Sequence, residues 1–302
     1  MLIMIPRRLL LLAGCAFALS LAIACTKPES EQPEKAGKLI VGVVTYGEGA
    51  RSVDQYHDFV EYLGNRTKTL IELEPAYNEI KAVEQIQRKI WSVVFAPPGL
   101  AAIAISRANY RPLFPLQGID NLSSVLVVLQ DSPIEKISDL NNKNVALGQP
   151  GSATGYYVPL YNLYGLILSE VRFAPTPRTV LEWVANGEVA AGALSKDEFN
   201  RYQQDFNSIQ FRILLNSRRI PAGAVLISPE VDANQQRVIQ KAMNEAVPQL
   251  VQTVGYVPNL APPDYKTLIT FIDKVKPIEG RIRQKPAPLF QPGEQANSPE
   301  PQ

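Results

Sequence analysis

From residue 38 onward the chain alternates short apolar runs with stretches whose apolar residues recur at helical spacing, and few architectures accept that order. Residues 38–44 read as a buried strand that breaks at Tyr46-Gly47-Glu48-Gly49, and 53–63 as a helix that stops at Gly64-Asn65. A strand at 70–73, a helix at 77–89, a strand at 92–95 and a helix at 100–108 follow. Alternation of this kind implies right-handed crossovers and a mostly parallel sheet. Ligands of such sheets bind at the carboxyl ends of the strands. Tyr46, Tyr77 and the turn Ala96-Pro97-Pro98 fall at or near those ends.

The pattern then restarts. A longer apolar strand at 123–129 leads to a short polar helix at 134–140, a strand at 144–147, a small-residue loop at 149–155 and a helix at 156–168. A helix at 179–186 and a strand at 189–194 come next, and a second long apolar strand at 222–227 precedes a helix at 234–246. The expected fold is α/β with two lobes, the second inserted into the first. Lobe 1 comprises 39–122 and 229–283, and lobe 2 comprises 123–228 with crossing hinge strands at its two ends. The Pro-rich polar stretch 284–302 reads as a disordered tail.

The N-terminus is of another kind. Arg7-Arg8 followed by the apolar run 9–24 has the order of a secretory signal peptide, and the run is shorter than the ~20 residues of a membrane-spanning helix. Small residues before Cys25 resemble a lipobox, with cleavage after residue 24 and a diacylglycerol on the Cys25 thiol. Cys15 follows a neater lipobox, but it leaves an h-region of about six residues, below the usual range. Residues 25–38, rich in Pro, Glu, Lys and Ser, then form a flexible tether. This places the protein in the periplasm or at the cell surface, attached to a membrane by a lipid anchor. The remaining body has no thiol for a disulfide, a metal or a nucleophile, and its core alone must stabilise it. Removal of Arg7 and Arg8 takes the formal net charge from +1 to −1, so no long-range field holds nucleic acid.

The most informative loop is Pro150-Gly151-Ser152-Ala153-Thr154-Gly155-Tyr156, between a strand and a helix. Its glycines permit close backbone approach, its hydroxyls donate or accept, and helix-opening amides favour an anion. The same residues equally describe an N-capped helix with Ser or Thr as cap. No Gly-Lys-Ser/Thr follows, so it is no nucleotide P-loop, and it is no G-x-S-x-G elbow. The single histidine, His57, reads as a surface residue, and Glu182, Glu188, Asp197 and Glu198 as solvated charges. Tyr157, Tyr161 and Tyr164 at helical spacing read as packing against a sheet. No enzyme, metal site or cofactor is expected.

Four stretches in order resemble the solute-binding proteins of phosphate/phosphite/phosphonate ABC importers, across roughly residues 39–282. Residues 151–159 are similar to that family's Ser-Thr-Ser-Gly-Tyr-x-x-Pro cradle. Residues 175–194 match its next helix and strand, 219–225 its second interlobe crossing, and Ala76-Tyr77-Asn78 its tyrosine after the second strand. The resemblance implies a type II periplasmic binding fold that hinges closed on a ligand, a small oxyanion or related solute, and delivers it to an ABC permease. It implies Tyr77, Ser152, Ala153, Thr154, Gly155 and Tyr156 at the ligand, to which the strand-end reading adds Tyr46 and Pro97, and a monomer is expected.

The departures bear on specificity. The family commonly has Asp where this chain has Ala190, Tyr where it has Ala96 and His where it has Pro177. A buried anion without these partners is costly, so a different anion or a less charged solute is expected. Arg178 is expected to replace part of the lost recognition through a bidentate contact. A lipid-anchored sensor on the same fold is the alternative function, and an enzyme on it the weakest.

Overall fold

The computed structural model of the protein describes residues 37–45, 51–118, 122–291 and 293. The expected signal peptide, Cys25, the tether up to residue 36, and Tyr46 lie outside the described residues. Among the described residues no helix is long and apolar enough to cross a membrane.

Lobe 1 opens with β1 (Lys38–Val44), a short α1 (Arg51–Asp54), α2 (His57–Thr67), β2 (Leu70–Ala76), α3 (Glu79–Gln87), β3 (Val93–Ala96), α4 (Pro98–Ala108) and β4 (Arg111–Pro115). Lobe 2 follows with β5 (Ser124–Leu129), β6 (Asn144–Leu147), a π-helical turn Ala153–Tyr157, α5 (Val158–Asn162), β7 (Ile167–Leu168) and β8 (Glu170–Phe173). It continues through α6 (Pro177–Ala185), β9 (Ala191–Ser195), α7 (Lys196–Tyr202) and β10 (Phe211–Asn216). The chain returns by β11 (Ala224–Ile227) to α8 (Ala233–Asn244), α9 (Pro248–Val254), α10 (Lys266–Val275) and β12 (Ala287–Pro288).

Two five-stranded sheets result, β2-β1-β3-β11-β4 and β10-β5-β9-β6-β8. In each sheet four strands share one direction and one is reversed, since β11 is antiparallel to β3 and β4, and β5 to β10 and β9. The reversed strand is the one that follows a crossing. The strands expected as hinges therefore belong to the sheets: β5 is central in lobe 2, and β11 is central in lobe 1 rather than part of 123–228. The crossings run between Pro115 and Ser124 and between Asn216 and Ala224. They hydrogen-bond to each other, Leu116 N–H donating to Gly223 O at 2.9 Å and Ile220 N–H to Leu122 O at 2.7 Å. That pairing satisfies backbone groups that a single connecting strand would leave without partners.

Local packing explains several elements. Trp91 is wholly buried, and its ring lies where a Cβ on Gly42 would stand, 2.0 Å from Cδ2, so β1 needs glycine there. Tyr56, Phe59, Phe95 and Tyr256 meet edge to face on the other side of the first sheet. Tyr256 closes that cluster by donating to Met243 O at 2.6 Å.

The C-terminal part departs furthest from expectation. The helix expected at 156–168 ends at Asn162, and Gly165, at φ +97°, turns the chain into β7. Tyr161 stacks on Phe271 of α10 with centroids 4.1 Å apart, and Lys274 sits over the Tyr164 ring, so these tyrosines face a helix and not a sheet. Thus α10, read as part of lobe 1, packs on α5 of lobe 2 as well as on α4 of lobe 1. The stretch read as the start of a disordered tail is packed: Ala287 and Pro288 pair with Leu168 and Ile167, and Ala287 and Leu289 are wholly buried. Proline removes donors but leaves carbonyls, and Leu289 supplies both an N–H to Leu166 O and a carbonyl to Gly165 N–H.

Candidate functional site

The lobes meet at the carboxyl ends of β3 and β6. On lobe 1, Pro97 is the cap residue of α4 and Pro98 its first residue, where the missing N–H costs nothing. On lobe 2, the loop after β6 folds back on itself, with Gly148 N–H donating to Gly155 O at 2.8 Å and Gln149 Nε2 to Ala174 O at 3.1 Å. Gly151 has φ +114°, a conformation that suits glycine. A Cβ on Gly99 would lie 2.1 Å from Gly151 O and 2.6 Å from Ala153 N, and a Cβ on Gly151 would lie 2.6 Å from Glu79 Cβ. Both glycines are therefore required where the lobes touch.

Within the loop, Ser152 acts as an N-cap. Its hydroxyl accepts from Gly155 N–H at 3.0 Å, which occupies one of the amides expected to face a ligand. Ser124 donates its hydroxyl to Thr154 O at 2.5 Å and ties the loop to the central strand. Ala153 and Gly155 are buried, and Thr154 and Pro97 are half-buried. Tyr77 follows β2, is 61% exposed, and stands just before Asn78, which caps α3 by accepting from Lys81 N–H. The structure thus brings Gly99, two residues after Pro97, against Gly151 and Ala153, and Glu79, two residues after Tyr77, against Gly151.

Two expected site residues are engaged by other parts of the protein. Tyr156 is buried, its ring edge-on to Tyr157 at 4.9 Å and tilted against Phe173, and burial pushes its hydroxyl pKa up strongly. It lines a cavity beside the loop instead of the loop's outer face. Arg178 is exposed, donates from Nε to Asp205 at 3.1 Å and pairs with Glu182 at 3.8 Å. Those surface carboxylates hold the guanidinium that the sequence reading placed at the ligand. The positions that depart from the resembled family have plain structural roles here. Ala96 ends β3 opposite Ala224, Pro177 opens α6, and Ala190 N–H donates to Asn144 O.

His57 is exposed at the start of α2. Glu188 pairs with Arg172, and Glu198 completes a capping box with Ser195. A group the sequence did not reveal is Arg107, Tyr157, Glu279 and Arg283, which meet around the cavity although they come from α4, the π turn and the C-terminal segment. No local spacing signals that convergence.

Residues 41–249 match the family described as the periplasmic substrate-binding protein of phosphonate ABC transporters. Among solved structures, XAC2383 from Xanthomonas citri bound to ATP is similar with a TM-score of 0.66 and 17% identity, covering 80% of this chain and 98% of that one. PhnD1 from Prochlorococcus marinus in complex with methylphosphonate has a TM-score of 0.61 and 16% identity, covering 80% and 99%. PA3383 from Pseudomonas aeruginosa, a binding protein component of an ABC phosphonate transporter, has 0.59 and 14%, covering 82% and 88%. Identities this low speak to the fold alone. No curated protein sequence matches the chain.

Proposed function

Because the chain belongs to the periplasmic substrate-binding proteins of phosphonate ABC transporters, we propose that it captures a small oxyanion or related solute between its lobes and delivers it to an ABC permease, held near that permease by a lipid on Cys25. The observation that carries this reading is the direct backbone contact of Gly99 with Gly151, at the strand ends where such sheets bind ligands. A solute seated between Thr154, Pro97 and Tyr77 would be enclosed by that approach.

The solute is expected to differ from a phosphonate. Ala190, Ala96 and Pro177 offer no side-chain donor or acceptor, and Arg178 is engaged by Asp205 and Glu182. A doubly charged head group needs more compensation than the Thr154 hydroxyl and the loop backbone supply.

A thermal-shift screen against phosphate, phosphite, methylphosphonate, sulfate and acetate tests this reading. At least one compound is expected to raise Tm by mass action, and methylphosphonate to raise it little. A large methylphosphonate shift would show that the family's ligand is retained. Thr154→Val combined with Ser152→Ala should weaken binding of the hit at least tenfold, about 1.4 kcal/mol, and unchanged affinity would move the site away from the loop. Cys25→Ser should abolish lipid labelling, whereas loss only in Cys15→Ser would relocate the anchor.

A further inference from the structure

The peptide unit between Thr154 and Gly155 is held at both ends by serine hydroxyls. Its N–H donates to Ser152 Oγ at 3.0 Å, within the loop, and its carbonyl accepts from Ser124 Oγ at 2.5 Å, from the first residue of β5. The second bond has a cause in the sequence. In the π turn Ala153–Tyr157, carbonyls pair with the N–H five residues on: Ser152 O accepts from Tyr157 N–H, and Ala153 O from Val158 N–H. The next donor in that ladder would be residue 159, a proline, which has no N–H. The carbonyl of Thr154 thus loses its helical partner. The hydroxyl of Ser124, a residue only 3% exposed, takes the place of the missing donor.

Ser124 also stands where the first crossing enters lobe 2. Its N–H donates to Ser217 Oγ at 2.9 Å, and its carbonyl accepts from Ser217 N–H at 2.8 Å. Ser217 is the residue where the second crossing leaves β10, and its own hydroxyl donates to Arg218 O at 2.8 Å, further along that crossing. In the sheet, Ser124 lies opposite Ser195 of β9. Both crossings and the loop therefore meet at one small buried residue. Hinge motion is absorbed by a few residues at element ends, and Ser124 and Ser217 occupy such positions. A movement of either crossing reaches the Ser124 backbone directly, and the Thr154 carbonyl is one hydrogen bond further on.

We propose that Ser124 is a positioning residue for the solute site: its hydroxyl stands in for the N–H that Pro159 lacks, fixes the plane of the Thr154–Gly155 peptide, and couples the loop to the two crossings. It acts through Thr154 and not on the solute. The inference rests on the reading of this loop as the solute site. An alanine at 124 leaves the Thr154 carbonyl without a donor, so the peptide is free to turn, and the direction of the Thr154 hydroxyl turns with it.

Amide hydrogen exchange of the purified protein, read by mass spectrometry with no solute added, tests the coupling separately from the identity of the ligand. Ser124→Ala is expected to speed exchange of the amides of residues 155–158 about tenfold, while peptides from β1 and β2 keep their wild-type rates and so report an intact fold. Ser217→Ala, at a residue whose bonds go to Ser124 and Arg218, should speed the same loop amides about threefold. Pro159→Ala supplies the N–H missing from the ladder, so adding it to Ser124→Ala should bring the loop back to within about threefold of wild type. Unchanged loop exchange in Ser124→Ala or in Ser217→Ala would overturn the proposal. So would a double variant that exchanges as fast as Ser124→Ala alone, since Ser124 would then act by packing and not as a donor.

Discussion

Gly99 and Gly151 meet backbone to backbone across the two lobes, so closely that one methyl group on Gly99 would stand 2.1 Å from the Gly151 carbonyl oxygen. The listener to such a contact is the hinge, since neither α4 nor the loop after β6 can yield without moving its sheet. Gly99→Ala is therefore expected to hold the lobes apart while each lobe stays folded. Small-angle scattering should report a larger radius of gyration, and affinity for the cleft solute should fall at least tenfold, about 1.4 kcal/mol. An unchanged radius with wild-type affinity would mean that the two backbones are not in contact in solution.

Ser152 holds its own loop before it holds anything else. With its hydroxyl accepting from Gly155 N–H, Ser152→Ala should cost about 1 kcal/mol in denaturant unfolding, the usual effect of losing an N-cap. Ser152→Asn, which can cap, should recover most of that loss. A residue whose hydroxyl served only a ligand would show no such cost.

The C-terminal segment gives a third test. Leu289 is wholly buried and exchanges backbone hydrogen bonds with residues 165 and 166. Leu289→Ala is expected to destabilise the protein by about 2–5 kcal/mol. A tail without structure would give no change in the unfolding midpoint.

Glu279 should leave a signature in the pH dependence of stability. Burial raises its folded pKa above the ordinary value, and Arg107, Lys276 and Tyr157 only partly oppose this. Between the unfolded pKa, about 4.3, and the raised folded one, the native state keeps a proton that the unfolded chain has lost. Stability from this group is complete below that window and falls as pH rises through it. Urea unfolding of wild type and Glu279→Gln from acid to neutral pH should show wild type losing ground to the variant across the window and running parallel above it. A difference that grew in favour of wild type would mean that Arg107, Lys276 and the Tyr157 hydroxyl outweigh burial.

The sheets were legible where both faces are covered. The strand at 144–147 was placed to the residue and that at 38–44 likewise, because each is a continuous apolar run between breakers. β10 was missed because Phe211–Asn216 is an edge strand, half-exposed along its length, and Arg212 and the polar residues on either side break up its apolar run Ile213-Leu214-Leu215. The Pro-rich segment after 284 hid β12 for a related reason: two buried side chains, Ala287 and Leu289, are too few to raise the local hydrophobicity. At the site, Gly151 and Gly155 revealed the loop, since tight turns write themselves into local sequence. Side-chain direction is set by distant partners, so Tyr156 turning inward and Arg178 turning to Asp205 were not legible. The Arg107–Glu279 pairing depends on two segments far apart in sequence and left no local trace.

The return of the chain onto lobe 2 through β12 has a practical consequence. The body begins at β1 in lobe 1 and reaches β12 against β7 in lobe 2, so the ends of the folded chain ride on different lobes. Residues 26–302 contain no cysteine, and two introduced thiols, one beside Lys38 and one beside Pro288, would be the only reactive ones in a version starting after Cys25. A donor and an acceptor dye on those thiols would report any change in the distance between the lobes as an optical signal, without touching the ligand.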